Sequence, residues 1–272
     1  MHLVRVTVVA CCLSVAACAN AIVRPAVSPV KPASDALVVV PGFGYDRDGE
    51  RVFKTLAPSM AAEGFDLYLP TYVSRSGLEE SRERLQRFFR DNHLDRYERV
   101  HVFAFIAGGW TFNPLGEARS LPNLSTIVYD RSPYQERAPR VALEKLKFLT
   151  WVRYGHVVFD LARTPYAAVT VPGVKVGLVV ETLPTSLIRK HASTAQSYGA
   201  YEFECGAFHQ RHDDCLFVAM DHDELYARFG EVWPEVRSFI RTGRFSASAN
   251  RTPPGAGPSP ATGVRVAERG AR

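Results

Sequence analysis

Cys205, His209, His212 and Cys215 lie close together in the last third of the chain, and their side chains can bind a metal or form a covalent link. Thiolate and imidazole groups are the usual ligands of zinc, so one interpretation is a zinc site. The spacing, however, matches none of the common zinc motifs. The other interpretation is a disulfide, which would stabilise the fold by roughly 2–3 kcal/mol. An oxidising compartment would favour the disulfide, and we then expect no metal and no other cofactor.

The N-terminal segment indicates the compartment. Arg5 precedes an apolar run, residues 6–17, that is too short to cross a bilayer but suits the core of a signal peptide. The run leads into VAAC, which resembles the lipobox of bacterial lipoproteins and implies that Cys18 becomes the lipidated first residue. Ordinary signal cleavage after Ala21 is the alternative. We therefore predict a lipoprotein signal peptide over residues 1–18 and an exported protein, anchored by lipid on the periplasmic or outer face of the cell envelope.

Export also bears on the state of the cysteines. Cys11 and Cys12 would leave with the signal peptide and Cys18 would carry the lipid, so Cys205 and Cys215 remain for the folded domain. A single pair in an oxidising compartment most simply forms a disulfide.

Composition divides the rest of the chain into three parts. Residues 19–34 are rich in Pro, Ala and Val, as expected of an extended tether. Residues 246–272 are dominated by Pro, Gly, Ala and Ser, and we predict a disordered tail because they bury too little apolar surface to offset their ordering entropy. One folded domain then covers residues 35–245. The net charge of +5 is spread along the chain without a basic and aromatic module, which argues against a nucleic-acid partner.

Strand and helix patterns alternate inside this domain. Continuous β-branched runs indicate buried parallel strands, and amphipathic segments indicate helices between them. The predicted strands cover residues 36–41, 65–70, 100–105, 124–129, 174–180 and 215–219, and the predicted helices cover about 49–63, 77–92, 135–152 and 225–240. This alternation predicts an α/β fold with a mostly parallel sheet and helices on both faces.

The stretch VHVFAFIAGGW, residues 100–110, runs from a strand through a tight turn of small residues into a helix. It resembles the nucleophile elbow of α/β-hydrolases, where G-x-S-x-G places a serine at the apex. The ordered landmarks VVVPGFG, FDLYLP, LSTIVYDRSP, VKVGLVVE and AMDHDELY resemble the small lipase-like branch of that family. The resemblance implies a single α/β-hydrolase-like domain. In this chain the apex position holds Ile106, which has no nucleophilic atom.

The resemblance also suggests which residues would form the acid–base part of a catalytic site. His222 follows the last predicted strand, where the family keeps the base of its triad. Glu181 ends the preceding strand and Asp130 the one before that, so either could orient the histidine.

The oxyanion hole of the family uses two backbone N–H groups, which here would belong to Ala107 and to Phe43 or Gly44. The sequence departs from the family at this point, because Pro41 and Gly42 replace the usual His-Gly. The family's Asp-Gly motif before the last strand is also absent. Backbone donors tolerate side-chain changes, so an oxyanion hole could persist despite these departures.

Loss of the nucleophile weighs heavily against ordinary catalysis. Removing the serine from a comparable triad costs about 10⁶ in rate, or roughly 8 kcal/mol of barrier. Ser132 and Thr111 lie near the predicted site, but neither has a base beside it in the sequence. An elbow apex usually has a positive φ, which a β-branched residue tolerates poorly, so we expect the turn at Ile106 to relax.

These observations favour a non-catalytic binding or scaffolding protein of the bacterial cell envelope, with a small-molecule or protein ligand that the sequence does not identify. The first alternative is a lipase- or esterase-type hydrolase that uses an unconventional nucleophile or a water activated by His222. The second is a metal-binding protein that uses Cys205, His209, His212 and Cys215.

Overall fold

The computed structural model describes residues 34–42 and 47–254, with side chains from residue 49 onward in the second range. The predicted signal peptide, the predicted lipidation site Cys18 and nearly all of the predicted tether lie outside the described residues, as do Phe43 and Gly44. The predictions for these residues stay predictions.

Six strands form one sheet in which every neighbouring pair is parallel, in the order β2-β1-β3-β4-β5-β6. The strands are β1 (Asp35–Val40), β2 (Phe65–Tyr68), β3 (Arg99–Ala104), β4 (Leu124–Arg131), β5 (Lys175–Glu181) and β6 (Asp214–Val218). The predicted α/β fold with a parallel sheet is confirmed. Most residues of β1, β3 and β5 are buried, as expected for parallel strands covered on both faces.

Nine α-helices connect or follow the strands in the described part of the chain. They are α1 (Arg47–Ala62), α2 (Leu78–Asp91), α3 (Ile106–Glu117), α4 (Ala138–Tyr154), α5 (Val157–Arg163), α6 (Ser186–Lys190), α7 (Ala192–Ser197), α8 (His222–Ala227) and α9 (Phe229–Thr242). Helices α1, α8 and α9 pack on one face of the sheet. Helices α2 and α3 pack on the other. No described helix is long and apolar enough to cross a membrane.

The structure differs from the predicted helices in the closing helix and in the segments between β4 and β6. The predicted closing helix is divided at Arg228 into α8 and α9, because Arg228 has a non-helical backbone (φ −113°, ψ 20°). The irregular piece after α4 contains α5, a helix that is too short to show a clear apolar period.

Residues 246–254 were predicted to belong to a disordered tail, yet they pack along the last strand. Asn250 accepts a hydrogen bond from the backbone N–H of Phe217 in β6 at 2.8 Å through its carbonyl. Arg251 pairs with Asp214 through two hydrogen bonds of 3.2 and 2.9 Å. The predicted domain boundary at residue 245 is therefore too early, because composition does not reveal these specific polar contacts.

Candidate functional site

The predicted elbow joins β3 to α3, and Ile106 is the first residue of the helix. Its side chain is 4% exposed and packs with Leu78, Trp110, Val157 and Leu161. Ile106 is not among the described non-glycine residues that have a positive φ. The turn therefore has the relaxed backbone expected for a residue that holds no nucleophile.

The small residues after the apex have a packing explanation. A Cβ on Gly108 would lie 2.2 Å from the carbonyl oxygen of Val40, and one on Gly109 would lie 2.3 Å from the hydroxyl oxygen of Tyr166. Both distances are below van der Waals contact, so glycine is required where α3 crosses the end of β1. Gly108 and Gly109 thus position the helix whether or not the site is catalytic.

His222 is the first residue of α8, and the cap of this helix fixes where it lies. The side chain of Asp221 accepts hydrogen bonds from the N–H groups of Asp223 and Glu224 at 3.1 and 3.0 Å. Glu224 accepts one from the N–H of Asp221 at 3.0 Å, which completes a capping box. The sequence DHDE therefore holds His222 directly after the last strand.

Two carboxyl groups meet the imidazole of His222. Its Nδ1 donates a hydrogen bond to Glu181 Oε1 at 2.8 Å, and Asp130 Oδ2 lies 3.2 Å from the same nitrogen. Asp130 and Glu181 are both fully buried, and His222 is 5% exposed. Either acid was a possible partner on the basis of the sequence, and the structure brings both to the histidine.

The register of the sheet explains this double contact. Asp130 in β4 pairs with Val179 in β5, and Glu181 lies two residues beyond Val179. Because side chains alternate along a strand, Asp130 and Glu181 point to the same face of the sheet. That face is covered by α8, which begins with His222.

Burial and mutual repulsion change the protonation of this group. Burial raises the pKa of Glu181 well above its usual value, and the neighbouring Asp130 carboxylate adds to the rise. Burial alone would lower the pKa of His222, but Glu181 and Asp130 together raise it well above its usual value. The raised pKa favours the doubly protonated imidazole, in which Nε2 is a hydrogen-bond donor.

A cavity of about 130 Å³ lies beside the imidazole. Its wall is mostly apolar and includes Ile106, Trp110, Val158, Leu161 and His222. Within residues 34–42 and 47–254, the hydrogen bond and ion pairs of the ring are all made at Nδ1, and Nε2 has no hydrogen-bond partner. The site is thus a mostly apolar pocket with Nε2 of His222 in its wall and Glu136 as its acidic lining residue.

The predicted oxyanion donors have mixed outcomes. Ala107 is the second residue of α3, and its N–H is among those that cannot bond within the helix. Ala107 also lines the cavity. Phe43 and Gly44 lie outside the described residues, and the N–H of Gly42, just before them, donates to the hydroxyl of Tyr226 at 2.5 Å.

Sequence reasoning missed Tyr226. Its ring stacks on Phe105 at 3.8 Å and meets His222 edge-on at 5.2 Å, both between ring centroids. Its hydroxyl binds the loop that follows β1. The available signal was its spacing, because residues four apart on a helix share a face and Tyr226 is four residues after His222.

The candidate replacement nucleophiles do not reach the cavity wall. Ser132 is fully buried, and its hydroxyl accepts a hydrogen bond from the N–H of Gln135 at 3.2 Å. Thr111 is also fully buried and donates to the carbonyl of Ala107 at 3.2 Å. Neither residue lines the cavity beside His222.

The predicted disulfide is confirmed. Cys205 and Cys215 are joined by an S–S bond of 2.00 Å, with Cα atoms 6.5 Å apart. Their sulfur atoms are therefore not thiolate ligands, and His212 Nδ1 lies 2.8 Å from the carbonyl oxygen of Gln210. The structure does not form the predicted alternative site of two cysteines and two histidines.

One group of described residues has the side chains for a metal site, namely Asp130, Glu181 and His222, whose ligand atoms lie within 4.8 Å of one another. The distances from Nδ1 to the carboxylate oxygens are those of hydrogen bonds and ion pairs. Protons therefore account for this geometry without a metal.

No protein-family model and no curated protein matches the chain. Among solved structures, it is similar to Bacillus licheniformis lipase BlEst2 in mature form, with 12% identity, coverage of 62% of this chain and 76% of that one, and a TM-score of 0.46. It is also similar to the type II thioesterase BorB from the borrelidin biosynthetic cluster (14% identity, 78% and 93% coverage, TM-score 0.48). A third match is Est1E from Butyrivibrio proteoclasticus (12% identity, 78% and 89% coverage, TM-score 0.48). The structural neighbours share the α/β-hydrolase fold that the sequence resembles.

Proposed function

We propose that this chain is a non-catalytic, α/β-hydrolase-like binding protein of the bacterial cell envelope, exported and anchored through a lipid on Cys18. Its ligand is a small molecule with an apolar body and an anionic or strongly hydrogen-bond-accepting head. The apolar body occupies the cavity beside Ile106, and the head accepts a hydrogen bond from Nε2 of His222.

One observation carries this proposal: Ile106 closes the cavity where a nucleophile would have to lie, while His222 keeps two buried carboxyl partners. A buried ion pair is expensive, and similar-sized apolar residues often replace such groups without loss of stability. The presence of such a polar group beside an apolar pocket therefore favours a role for His222 in ligand binding. Two carboxyl groups at Nδ1 raise the pKa of His222 and favour its protonated form, which donates hydrogen bonds, so binding suits the group better than proton abstraction.

Binding of hexanoate to the full chain, measured by isothermal titration calorimetry, tests the proposal, with hexanol as the uncharged comparison. We expect saturable binding of hexanoate that Ile106→Trp abolishes by filling the cavity. His222→Gln should weaken hexanoate more than hexanol, because it removes the positive charge. His156→Gln, at an exposed histidine, is the matched control. Hexanoate binding that is unchanged in both site variants would contradict the proposal.

A fluorophosphonate probe and a panel of short and long acyl esters test the absence of catalysis. We expect neither labelling nor turnover. Turnover that disappears in His222→Ala or Ser132→Ala would instead support the rival function, a hydrolase with a water activated by His222 or an unconventional nucleophile. The hydrogen bond between His222 and Glu181 is the observation that favours this rival function.

A further inference from the structure

The outer face of helix α4 is unusually apolar for a protein surface. Phe148, Leu149, Trp151 and Val152 are 71, 63, 45 and 46% exposed. Leu183 is the one other strongly exposed large apolar residue outside α4 in the described part of the chain. Isolated apolar residues are common on surfaces, but a contiguous group marks a contact with something apolar.

The helix presents this group as one continuous face. Phe148, Trp151 and Val152 have the spacing i, i+3 and i+4, which places them side by side along the helix. Thr150 and Tyr154 lie on the inner side and line the cavity beside His222. The segment is also delimited, because the helix is kinked at Leu146, where φ is −136° and ψ is 31°.

Cationic side chains border the apolar face. Lys147 and Arg153 are exposed neighbours of these residues in the same helix. Arg75 donates to the carbonyl oxygen of Arg153 at 3.1 Å, which holds a third guanidinium at the end of α4. None of the three forms an ion pair within the described ranges, whereas Lys145 pairs with Glu144 at 2.8 Å. Arg153 also lies over the ring of Tyr154, 5.4 Å from its centroid, which leaves its charge without an acidic partner. An apolar face bordered by cations that have no acidic partner is the pattern of a helix that lies in the interface of an anionic bilayer.

We propose that residues 147–153 of α4 dock the domain on an anionic lipid membrane. Phe148, Leu149, Trp151 and Val152 enter the headgroup and acyl boundary, and Lys147 and Arg153 contact the lipid phosphates. A second copy of this chain is a poorer occupant, because a symmetric contact would bring Lys147 and Arg153 of both copies together. The docked face is the outer side of the helix whose inner side lines the cavity, so the cavity would face the membrane.

Vesicle sedimentation tests the proposal on the full chain carrying Cys18→Ser, so that a lipid on this residue cannot hold the protein on the membrane. We expect binding to vesicles of phosphatidylethanolamine and phosphatidylglycerol, and weaker binding to phosphatidylcholine alone. Phe148→Ser with Leu149→Ser should lower the partition coefficient by about tenfold or more, because two inserted side chains are lost. Leu183→Ser, an exposed apolar residue elsewhere, is the matched control and should leave it unchanged.

Two further measurements make the result decisive. Lys147→Ser with Arg153→Ser should remove the preference for the anionic lipid and keep the residual apolar binding. Quenching of tryptophan fluorescence by brominated acyl chains should report Trp151, since Trp110 and Trp233 are buried. Equal partitioning of the Phe148→Ser, Leu149→Ser variant and the parent, or absence of quenching in bound protein, would overturn the proposal. A concentration-dependent dimer that this variant dissociates, without any vesicle binding by the parent, would also overturn it in favour of self-association.

Discussion

The two sides of the candidate site differ in their chemical character. On one side, β4, β5 and α8 bring Asp130, Glu181 and His222 together in a buried group with hydrogen-bond and ion-pair distances. On the other side, β3 and α3 carry Ile106 on a relaxed turn that packs like ordinary core. The acid–base half therefore has a specific polar geometry, and the nucleophile half has an apolar one. Mutations on each side should consequently affect different properties.

The largest expected effect is on stability, from His222→Ala. This change leaves two buried carboxyl groups without their cationic partner, and breaking such a group costs about 3–5 kcal/mol of the free energy of unfolding. Urea denaturation at neutral pH measures it. His156→Ala, at an exposed histidine, should cost less than about 0.5 kcal/mol. A loss of under about 1 kcal/mol for His222→Ala would mean that the carboxyl pair is already neutralised, for instance by a shared proton.

A smaller stability effect is expected on the nucleophile side, from Gly108→Ala. The new Cβ would meet the Val40 carbonyl oxygen at 2.2 Å, so α3 must shift from the sheet. We expect a loss of about 1–3 kcal/mol in the same denaturation assay. Gly206→Ala is the control, because a Cβ there has nothing within 4 Å. Equal stability of the two alanine variants would show that α3 is not held against β1 as described.

The pH dependence of stability should separate the polar half from the rest of the domain. The pKa values of Glu181 and His222 are both raised in the folded state, so the folded protein binds more protons than the unfolded one. Their contribution is present at low pH and is lost as the pH rises through the folded-state pKa values. We expect the parent to lose more stability between pH 6.5 and pH 9 than a variant with Glu181→Gln and His222→Gln. Parallel curves of melting temperature against pH would contradict this assignment of protons.

The smallest expected effect is on catalysis, from Ile106→Ser. A serine at this position has the required hydroxyl, but it lies on a relaxed turn, and the raised pKa of the nearby His222 makes the imidazole a poorer base. We expect ester turnover within about tenfold of the background, far below the roughly 10⁶ that a complete triad supplies. The double variant Ile106→Ser with His222→Gln is the control. Robust turnover by the single variant alone would show that the catalytic machinery is intact and that our interpretation is wrong.

The sheet could be predicted from the sequence because parallel strands covered on both faces are continuous apolar runs. The run ALVVVP predicted β1 and the run VKVGLVV predicted β5, and the ends of each strand agree with the prediction to within about one residue. The short helices α6 and α7 were not predicted, since they span less than two turns and show little periodicity.

The candidate site was predictable in its residues and not in its geometry. His222 follows a strand and both acids lie at the ends of strands, which the sequence indicates, but the meeting of the two acids depends on the register of β4 against β5. The spacing of Tyr226 from His222 indicates a shared helix face, but its hydrogen bond with Gly42 joins residues 184 positions apart, and no local pattern predicts that contact. The apolar outer face of α4 was likewise hidden, because a helix that is apolar on both sides has no amphipathic period.

The segment after α9 has a consequence for how the domain tolerates shortening. Strand β6 is at the edge of the sheet, and Asn250 bonds to its backbone at Phe217. A free strand edge is a template for pairing with another chain. A chain that ended before Asn250 would expose this edge while leaving His222 and its carboxyl partners in place. We expect such a shortened chain to aggregate by strand addition, while His222 and its carboxyl partners remain in place in each molecule.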